Sequence, residues 1–179
     1  MTKILRCDVA VIGAGTAGLA AERAARSNGA ATLLIDPSFN GTTCATVGCM
    51  PSKLLIAASH AAHAARSSRQ FGIEVRDVWI DGKAVMQRVR TERDRFVRLT
   101  QKSFDEIPDG VRLRGLAKFM GTQTLSLDDG RLIEAGSIVI ATGSSPSVPD
   151  AFAKLGNRIL TNETIFDLQD LPNSLAVIG

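Results

Sequence analysis

The sequence predicts an α/β protein organised around a parallel sheet. Three observations carry this. A short apolar run, residues 9–12, leads into Gly13, Gly15 and Gly18 at the spacing G-x-G-x-x-G. An alanine-rich helical stretch follows, and then a second apolar run, ATLLID, that ends on Asp36. Beyond it helical and strand patterns go on alternating, in a chain of 179 residues whose 45% hydrophobic content is enough to build a core.

Each element has a local reason. Residues 9–12 (VAVI) are apolar throughout, as a strand buried on both faces must be. Gly13 permits a tight turn, Gly15 lets the backbone approach a pyrophosphate, and Gly18 lets helix and strand pack closely. The helix that begins near Thr16 offers free N–H groups and the positive end of its dipole to phosphates. Asn28 and Gly29 stop it near Ser27 in a left-handed cap. Asp36 stands 23 residues past Gly13, where an acid can accept hydrogen bonds from both hydroxyls of a ribose. Strand, glycine turn, helix, strand and terminal acid in this order make a Rossmann-like dinucleotide site. The motif alone does not separate FAD from NAD, and the acid disfavours the 2′-phosphate of NADP.

The net charge of +3 sits largely in QRVRTERDRFVR, residues 87–98. Glu92 and Asp94 interrupt it, and Val85, Val89, Phe96 and Leu99 fit one side of a helix. It reads as a solvated helix face, not a nucleic-acid surface. The apolar residues 9–21 are broken by glycines, are too few to span a bilayer and lack a signal-peptide cleavage pattern. Three cysteines are too few for a disulfide scaffold, which points to a reducing compartment, the cytoplasm. Cys7, at the start of the first strand, reads as an inert core thiol.

Cys44 and Cys49 lie in GTTCATVGCMPSK, residues 41–53. Locally three readings are open: a redox pair, half of a metal site, or two inert thiols. His60 and His63 complete a C-x4-C-x10-H-x2-H spacing, but PSKLLIAASHAAHAARSS reads as one helix, with Pro51 tolerated in its first turn. His60 would then lie roughly 16 Å along the helix from Cys49, too far for one zinc ion. A redox pair has its own demand. In a regular helix, Cα atoms five residues apart are about 8.6 Å from each other, and a disulfide needs less than about 7 Å. Regular helix therefore has to break between the two cysteines. Gly48 loosens that turn, and Pro51 removes the N–H that would bond back to Val47. Thiols at such a helix start are expected to have lowered pKa values.

Placed after the dinucleotide fingerprint, GTTCATVGCMPSK resembles the active-site segment of the class I pyridine nucleotide–disulfide oxidoreductases. Its PSK ending is nearer to their dihydrolipoamide dehydrogenase and mercuric reductase branches than to glutathione reductase. The likeness runs over essentially the whole chain. VRLRGLAKFMGTQTLSL resembles the hairpin that closes over the adenine of FAD, with Ala117 at the ring. GSIVIATGSSPSVP resembles the strand and turn that return to the FAD, at Thr142, Gly143 and Ser144. NETIFDLQDLPNSLAVIG resembles the connection into the NAD domain. Thr42, Thr46 and Asp36 depart from the family's usual glycine, asparagine and glutamate.

The resemblance implies a Rossmann-like FAD-binding domain with helices on one side of its sheet and a hairpin or meander on the other. It implies FAD contacts at Gly13, Gly15, Thr16, Gly18, Asp36, Thr43, Cys44, Lys53, Ala117, Thr142, Gly143 and Ser144, and no metal. Cys44 would form the mixed disulfide with substrate, Cys49 would lie against the flavin, and Lys53 would face the flavin's reactive nitrogen. The implied reaction is oxidation of dihydrolipoamide with NAD. Mercuric reductase or another disulfide reductase is the alternative, and a non-catalytic FAD-binding or apo piece a third. The implied partners are a lipoyl-bearing protein or a small disulfide or dithiol, with a second copy in a homodimer; nucleic acid and membrane are not among them.

Residues 176–179 (AVIG) repeat residues 10–13 (AVIG), as a second strand leading into a second glycine turn would. The expected organisation is residues 1–149 as the first segment of the FAD-binding domain, incomplete at its C-terminus. Residues 150–179 would be the connection and first strand of a truncated NAD-binding domain. The chain thus reads as an N-terminal fragment, with the NAD site, the catalytic histidine and its acidic partner outside it. His60 and His63 do not match that histidine's placement.

Overall fold

A computed structural model describes residues 4–178, and in it residues 9–12 are the buried end of a longer strand, β1 (Ile4–Ile12). The chain divides into two units, Met1–Thr43 with Val97–Ser145, and Cys44–Phe96 with Pro146–Gly179.

The first unit is built on six strands in the order β3-β2-β1-β6-β5-β4. Its first helix is α1 (Thr16–Ser27), followed by β2 (Thr32–Asp36). β3 (Arg112–Arg114), β4 (Ala117–Phe119), β5 (Thr124–Leu127) and β6 (Leu132–Ile140) complete the sheet. β1 runs parallel to β2 and β6, and β2 parallel to β3. β4, β5 and the start of β6 pair antiparallel as a meander. Alternation along the strands sends successive residues to opposite faces. Ala10, Leu33, Ile35 and Leu113 pack with Leu125, Leu127, Ile133 and Ala135 of the meander. Val11 and Leu34 point the other way, onto Phe104, Ile107 and the helical side. Helices therefore cover one face and the meander the other, as the resemblance implies. α1 ends as expected, with Gly29 at φ +85°.

The second unit holds α3 (Cys49–Ser67), preceded by the one-turn helix α2 (Thr43–Thr46), and the first part of α4 (Gly82–Asp105). Short 3-10 turns follow at Asp150–Arg158 and Ile165–Asp167. Pro51 is buried in the first turn of α3. The basic run of α4 is not simply a solvated face. Its buried side includes Met86 and Val89. Arg93, with a side chain only 16% exposed, pairs with Asp94 at 3.0 Å and Asp167 at 2.6 Å. Arg90 donates to the Leu168 carbonyl. Leu99, expected on the apolar side, is 55% exposed. Among the described residues, no helix is long and apolar enough to cross a membrane.

The second strand expected at residues 176–179 does not form: residues 174–178 make no ladder, and Leu175, Val177 and Ile178 are exposed. A parallel strand exists only through its hydrogen-bonded neighbours, and among the described residues this segment has none. Gly179 lies outside the described residues.

Candidate functional site

The three motif glycines divide by what surrounds them. Gly13 sits at φ +102°, and a Cβ on it would meet the Ala141 carbonyl oxygen at 2.3 Å. Its N–H donates to the Ile35 carbonyl at 2.7 Å, while Ala141 N–H donates to the Ile12 carbonyl at 2.8 Å. The glycine turn and the turn that begins at Ala141 are thus pressed together where β1 and β6 end. A Cβ on Gly18 would lie 1.8 Å from the Gly13 carbonyl oxygen, so the close packing expected of Gly18 is observed. Gly15 differs. It caps α1 with ordinary extended angles and no side-chain hydrogen bond, and a Cβ there would meet nothing within 4 Å. The first intrahelical bond is Leu19 N–H to the Gly15 carbonyl at 2.9 Å. The N–H groups of Thr16, Ala17 and Gly18 precede it, at the positive end of the helix.

Asp36 ends β2 and holds this turn. Its Oδ2 accepts from Ala14 N–H at 2.9 Å. Its Oδ1 accepts from Ser38 N–H at 2.9 Å, Phe39 N–H at 2.8 Å and the Ser38 hydroxyl at 3.3 Å. Burial by itself would raise its pKa, but the three backbone donors outweigh it and keep the carboxyl below its ordinary range. Beside it, Gly115 N–H donates to the Asp36 carbonyl at 3.3 Å, which brings the β3–β4 turn and the half-buried Ala117 to the same edge of the sheet. Gly13, Gly15, Gly18, Asp36, Ala117 and Thr142 therefore gather where the parallel strands end, the region where open α/β sheets bind ligands. Thr16, Thr43, Thr142, Gly143 and Ser144 are exposed. The clasp that Asp36 makes was not anticipated; the signal for it is the run Asp36, Pro37, Ser38, an acid poised to accept from amides two and three residues on.

The cysteines lie on either side of a helix break. α2 ends at Thr46 and α3 begins at Cys49; Gly48 between them is non-helical, at φ −127° and ψ −118°. The break has the predicted cause and an unpredicted support. Pro51 has no N–H for the Val47 carbonyl, and Asn162 Nδ2 donates to that carbonyl instead, at 3.3 Å. Ser52 bonds the Gly48 carbonyl twice, through its N–H at 3.2 Å and its hydroxyl at 2.7 Å.

Both thiols are free, Cys44 half-buried and Cys49 exposed, and Cys49 is near enough to act on the Cys44 thiol. The lowered pKa expected of thiols at a helix start does not hold for Cys44, whose pKa is raised. The hydrogen bond to Cys49 is the main cause, with burial and the Cys49 charge adding to it. The Cys49 backbone and the Lys53 charge pull weakly the other way. A one-turn helix has too little dipole to reverse this. Lys53, His60 and His63 are exposed along α3. Burial, aided by the Asp8 charge, pushes the half-buried Cys7 thiol up to about 11, and Cys7 packs against the core cluster as read from its position.

A sequence profile described as pyridine nucleotide-disulphide oxidoreductase matches residues 7–179. The chain belongs to this family. Its relatives include the mercuric reductase of Streptomyces lividans, 33% identical over 96% of this chain and 37% of its own length. The dihydrolipoyl dehydrogenase of Chlamydia muridarum is also 33% identical, over 96% of this chain and 38% of its own length. The chain therefore spans little more than a third of these relatives. Among solved structures, a HOCl-induced flavoprotein disulfide reductase from Escherichia coli, RclA, determined as a copper(II) complex, superposes with a TM-score of 0.70. It is 22% identical, with 96% of this chain and 36% of that one covered, and shares the fold. Pyridine nucleotide-disulphide oxidoreductases act on sulfur groups and use FAD with NAD or NADP.

Proposed function

We propose that this chain is the FAD-binding part of an enzyme that oxidises dihydrolipoamide with NAD. The observation that carries the reading is the pair of free thiols Cys44 and Cys49 on either side of a break in helix, in a chain that also holds a complete glycine turn. The open space before Gly15 fits a pyrophosphate, which the N–H groups from Thr16 onward would hold. Asp36 stands where the adenosine ribose would be, Ala117 beside the adenine, and Thr142, Gly143 and Ser144 at the returning turn. Residues 1–149 would be the FAD-binding segment and 150–179 the way into an NAD-binding domain.

The sulfur chemistry follows from the pair. A substrate thiolate attacks the Cys44 sulfur of the oxidised pair, the Cys44–Cys49 bond breaks, and Cys49 leaves as the thiolate. The second substrate thiolate attacks the substrate sulfur now bonded to Cys44, which closes the lipoamide disulfide and releases Cys44. The dithiol gives up two protons as it attacks; one is taken by Cys44, the other passes to water, and Lys53 offsets the thiolate charge left on Cys49. FAD, when bound, supplies the route by which the two electrons left on the pair reach NAD.

A mercuric reductase is the second reading, favoured by a relative of that name at the same 33% identity. A lipoyl-bearing protein or small dithiol would be the partner, in a cytoplasmic homodimer. Alone, the 179-residue chain is expected to hold FAD weakly and to turn over no lipoamide. The test is mild oxidation, alkylation and peptide mass mapping. A Cys44–Cys49 disulfide with Cys7 left as thiol is the expected result, and an oxidised chain without that bond overturns the reading.

A further inference from the structure

The break between Cys44 and Cys49 leaves a carbonyl that the helix cannot serve. In a helix running through both cysteines the N–H of residue 51 would donate to the Val47 carbonyl, and Pro51 has none. The peptide that carries this carbonyl leads into Gly48, at φ −127° and ψ −118°, so its direction decides whether the cysteines sit across a break or along one helix. Asn162 Nδ2 donates to it at 3.3 Å. Asn162 is exposed, yet its backbone is held. Thr161 N–H donates to Thr164 Oγ1 at 3.0 Å, and Glu163 N–H to the Thr161 hydroxyl at 3.2 Å. The Thr161 carbonyl accepts from the N–H groups of Thr164 at 3.1 Å and Ile165 at 2.9 Å. Phe166 is buried, and Asp167 and the Leu168 carbonyl are bound by Arg93 and Arg90 of α4. A donor on a turn fixed by so many bonds is a strut rather than a passing contact.

We infer that Asn162 is a positioning residue for the redox pair: by holding the Val47 carbonyl at the break it keeps Cys44 and Cys49 within reach of a disulfide. The inference rests on the redox reading of the pair proposed above. A backbone carbonyl outside the helical ladder has to find another donor. Without the Asn162 amide that donor is water, which does not fix the direction of the peptide. The turn is then free to relax toward regular helix, where Cα atoms five residues apart are about 8.6 Å from each other, beyond what a disulfide spans. The two sulfurs meet less often, and the disulfide loses stability relative to the dithiol.

The test is a redox equilibrium. The FAD-free chain of 179 residues is equilibrated in glutathione buffers of set ratio, quenched with acid, alkylated and mapped by mass. The two thiols and one glutathione disulfide give the Cys44–Cys49 disulfide and two glutathione thiols. Asn162→Ala should lower that equilibrium constant about fivefold, an upward shift of about 20 mV in the potential of the pair. Glu163→Ala, at an exposed position on the same turn, should leave the constant within about twofold. Pro51→Ala gives residue 51 an N–H for the Val47 carbonyl, so in that background Asn162→Ala should have less than about a twofold effect. An unchanged constant in Asn162→Ala, an equal effect from Glu163→Ala, or the same Asn162→Ala effect with and without Pro51→Ala each overturns the inference and leaves the redox pair standing. A parent chain in which Cys44 and Cys49 form no disulfide overturns both.

Discussion

Alanine at Gly18 and alanine at Gly15 should have opposite consequences, although both change one motif glycine by one methyl group. At Gly18 the added Cβ lies 1.8 Å from the Gly13 carbonyl oxygen and 2.9 Å from its carbon. An ordinary C···O approach is about 3.3 Å, so roughly 1.5 Å must be absorbed by backbone on both sides. Overpacking of that kind costs about 1–3 kcal/mol. The alanine gains back about 0.5–1 kcal/mol through the unfolded chain, and the strain exceeds it. A net loss of about 1 kcal/mol is expected, which lowers Tm by about 2–4 °C in a chain of this size. At Gly15 the Cβ meets no atom and φ is −73°, so alanine is compatible. Its poorer capping, about 0.5 kcal/mol, is offset by the same unfolded-state gain, and stability should stay within about 0.5 kcal/mol. The methyl group would instead stand in the proposed pyrophosphate cradle and weaken FAD at least tenfold, about 1.4 kcal/mol. Urea unfolding of the FAD-free variants and a flavin fluorescence titration separate the two effects. If Gly15→Ala destabilises as much as Gly18→Ala, or binds FAD like the parent, the division between packing and binding glycines is wrong.

Asp36→Asn keeps the shape but puts an amide NH2 against at least one backbone N–H, and should destabilise the FAD-free protein by on the order of 1 kcal/mol. Because the folded pKa of Asp36 is lowered, its contribution is present above the unfolded value of about 3.9 and is lost as pH falls through the lower folded value. Acid unfolding of Asp36→Asn should lack that component, and identical acid profiles would refute the clasp. In the FAD-free protein iodoacetamide should label exposed Cys49 before the half-buried Cys44, whose pKa is raised; mass mapping that shows Cys44 labelled first contradicts that order. Arg93→Ala should cost about 1–3 kcal/mol in urea unfolding, while Arg95→Ala, at a 71% exposed side chain 3.8 Å from Glu92, should change stability by less than about 0.5 kcal/mol. Equal effects would show that Arg93 is no more than a surface charge.

Features set by neighbours in sequence were legible before the fold was known. The glycine turn, α1 and its left-handed cap, β2 and the first turn of α3 all follow from local steric rules. The helix break followed from a length: two sulfurs that must meet cannot be five residues apart in regular helix. What escaped depends on partners far along the chain. Arg93 reads as part of a solvated charge run because Asp167 is 74 residues away. Asn162 gives no sign that it serves Val47, 115 residues earlier. The raised pKa of Cys44 depends on the neighbouring Cys49, which no helix-dipole argument contains. Residues 174–178 carry a strand pattern, but a pattern makes a strand only where a neighbour supplies its hydrogen bonds.

The Asp36 clasp bears on how a ligand would be met at this edge of the sheet. Ordering the backbone of a single residue costs about 1–2 kcal/mol of conformational entropy. Ala14, Ser38 and Phe39 are tied to one carboxylate by their own backbone N–H groups, so that ordering belongs to folding rather than to association. An incoming ribose hydroxyl would need to displace only the longest of the four bonds, the 3.3 Å contact from Ser38 Oγ, which can turn to water. The surface is therefore preorganised, and affinity there should respond to how well a ligand replaces one serine hydroxyl rather than to how much loop it must freeze.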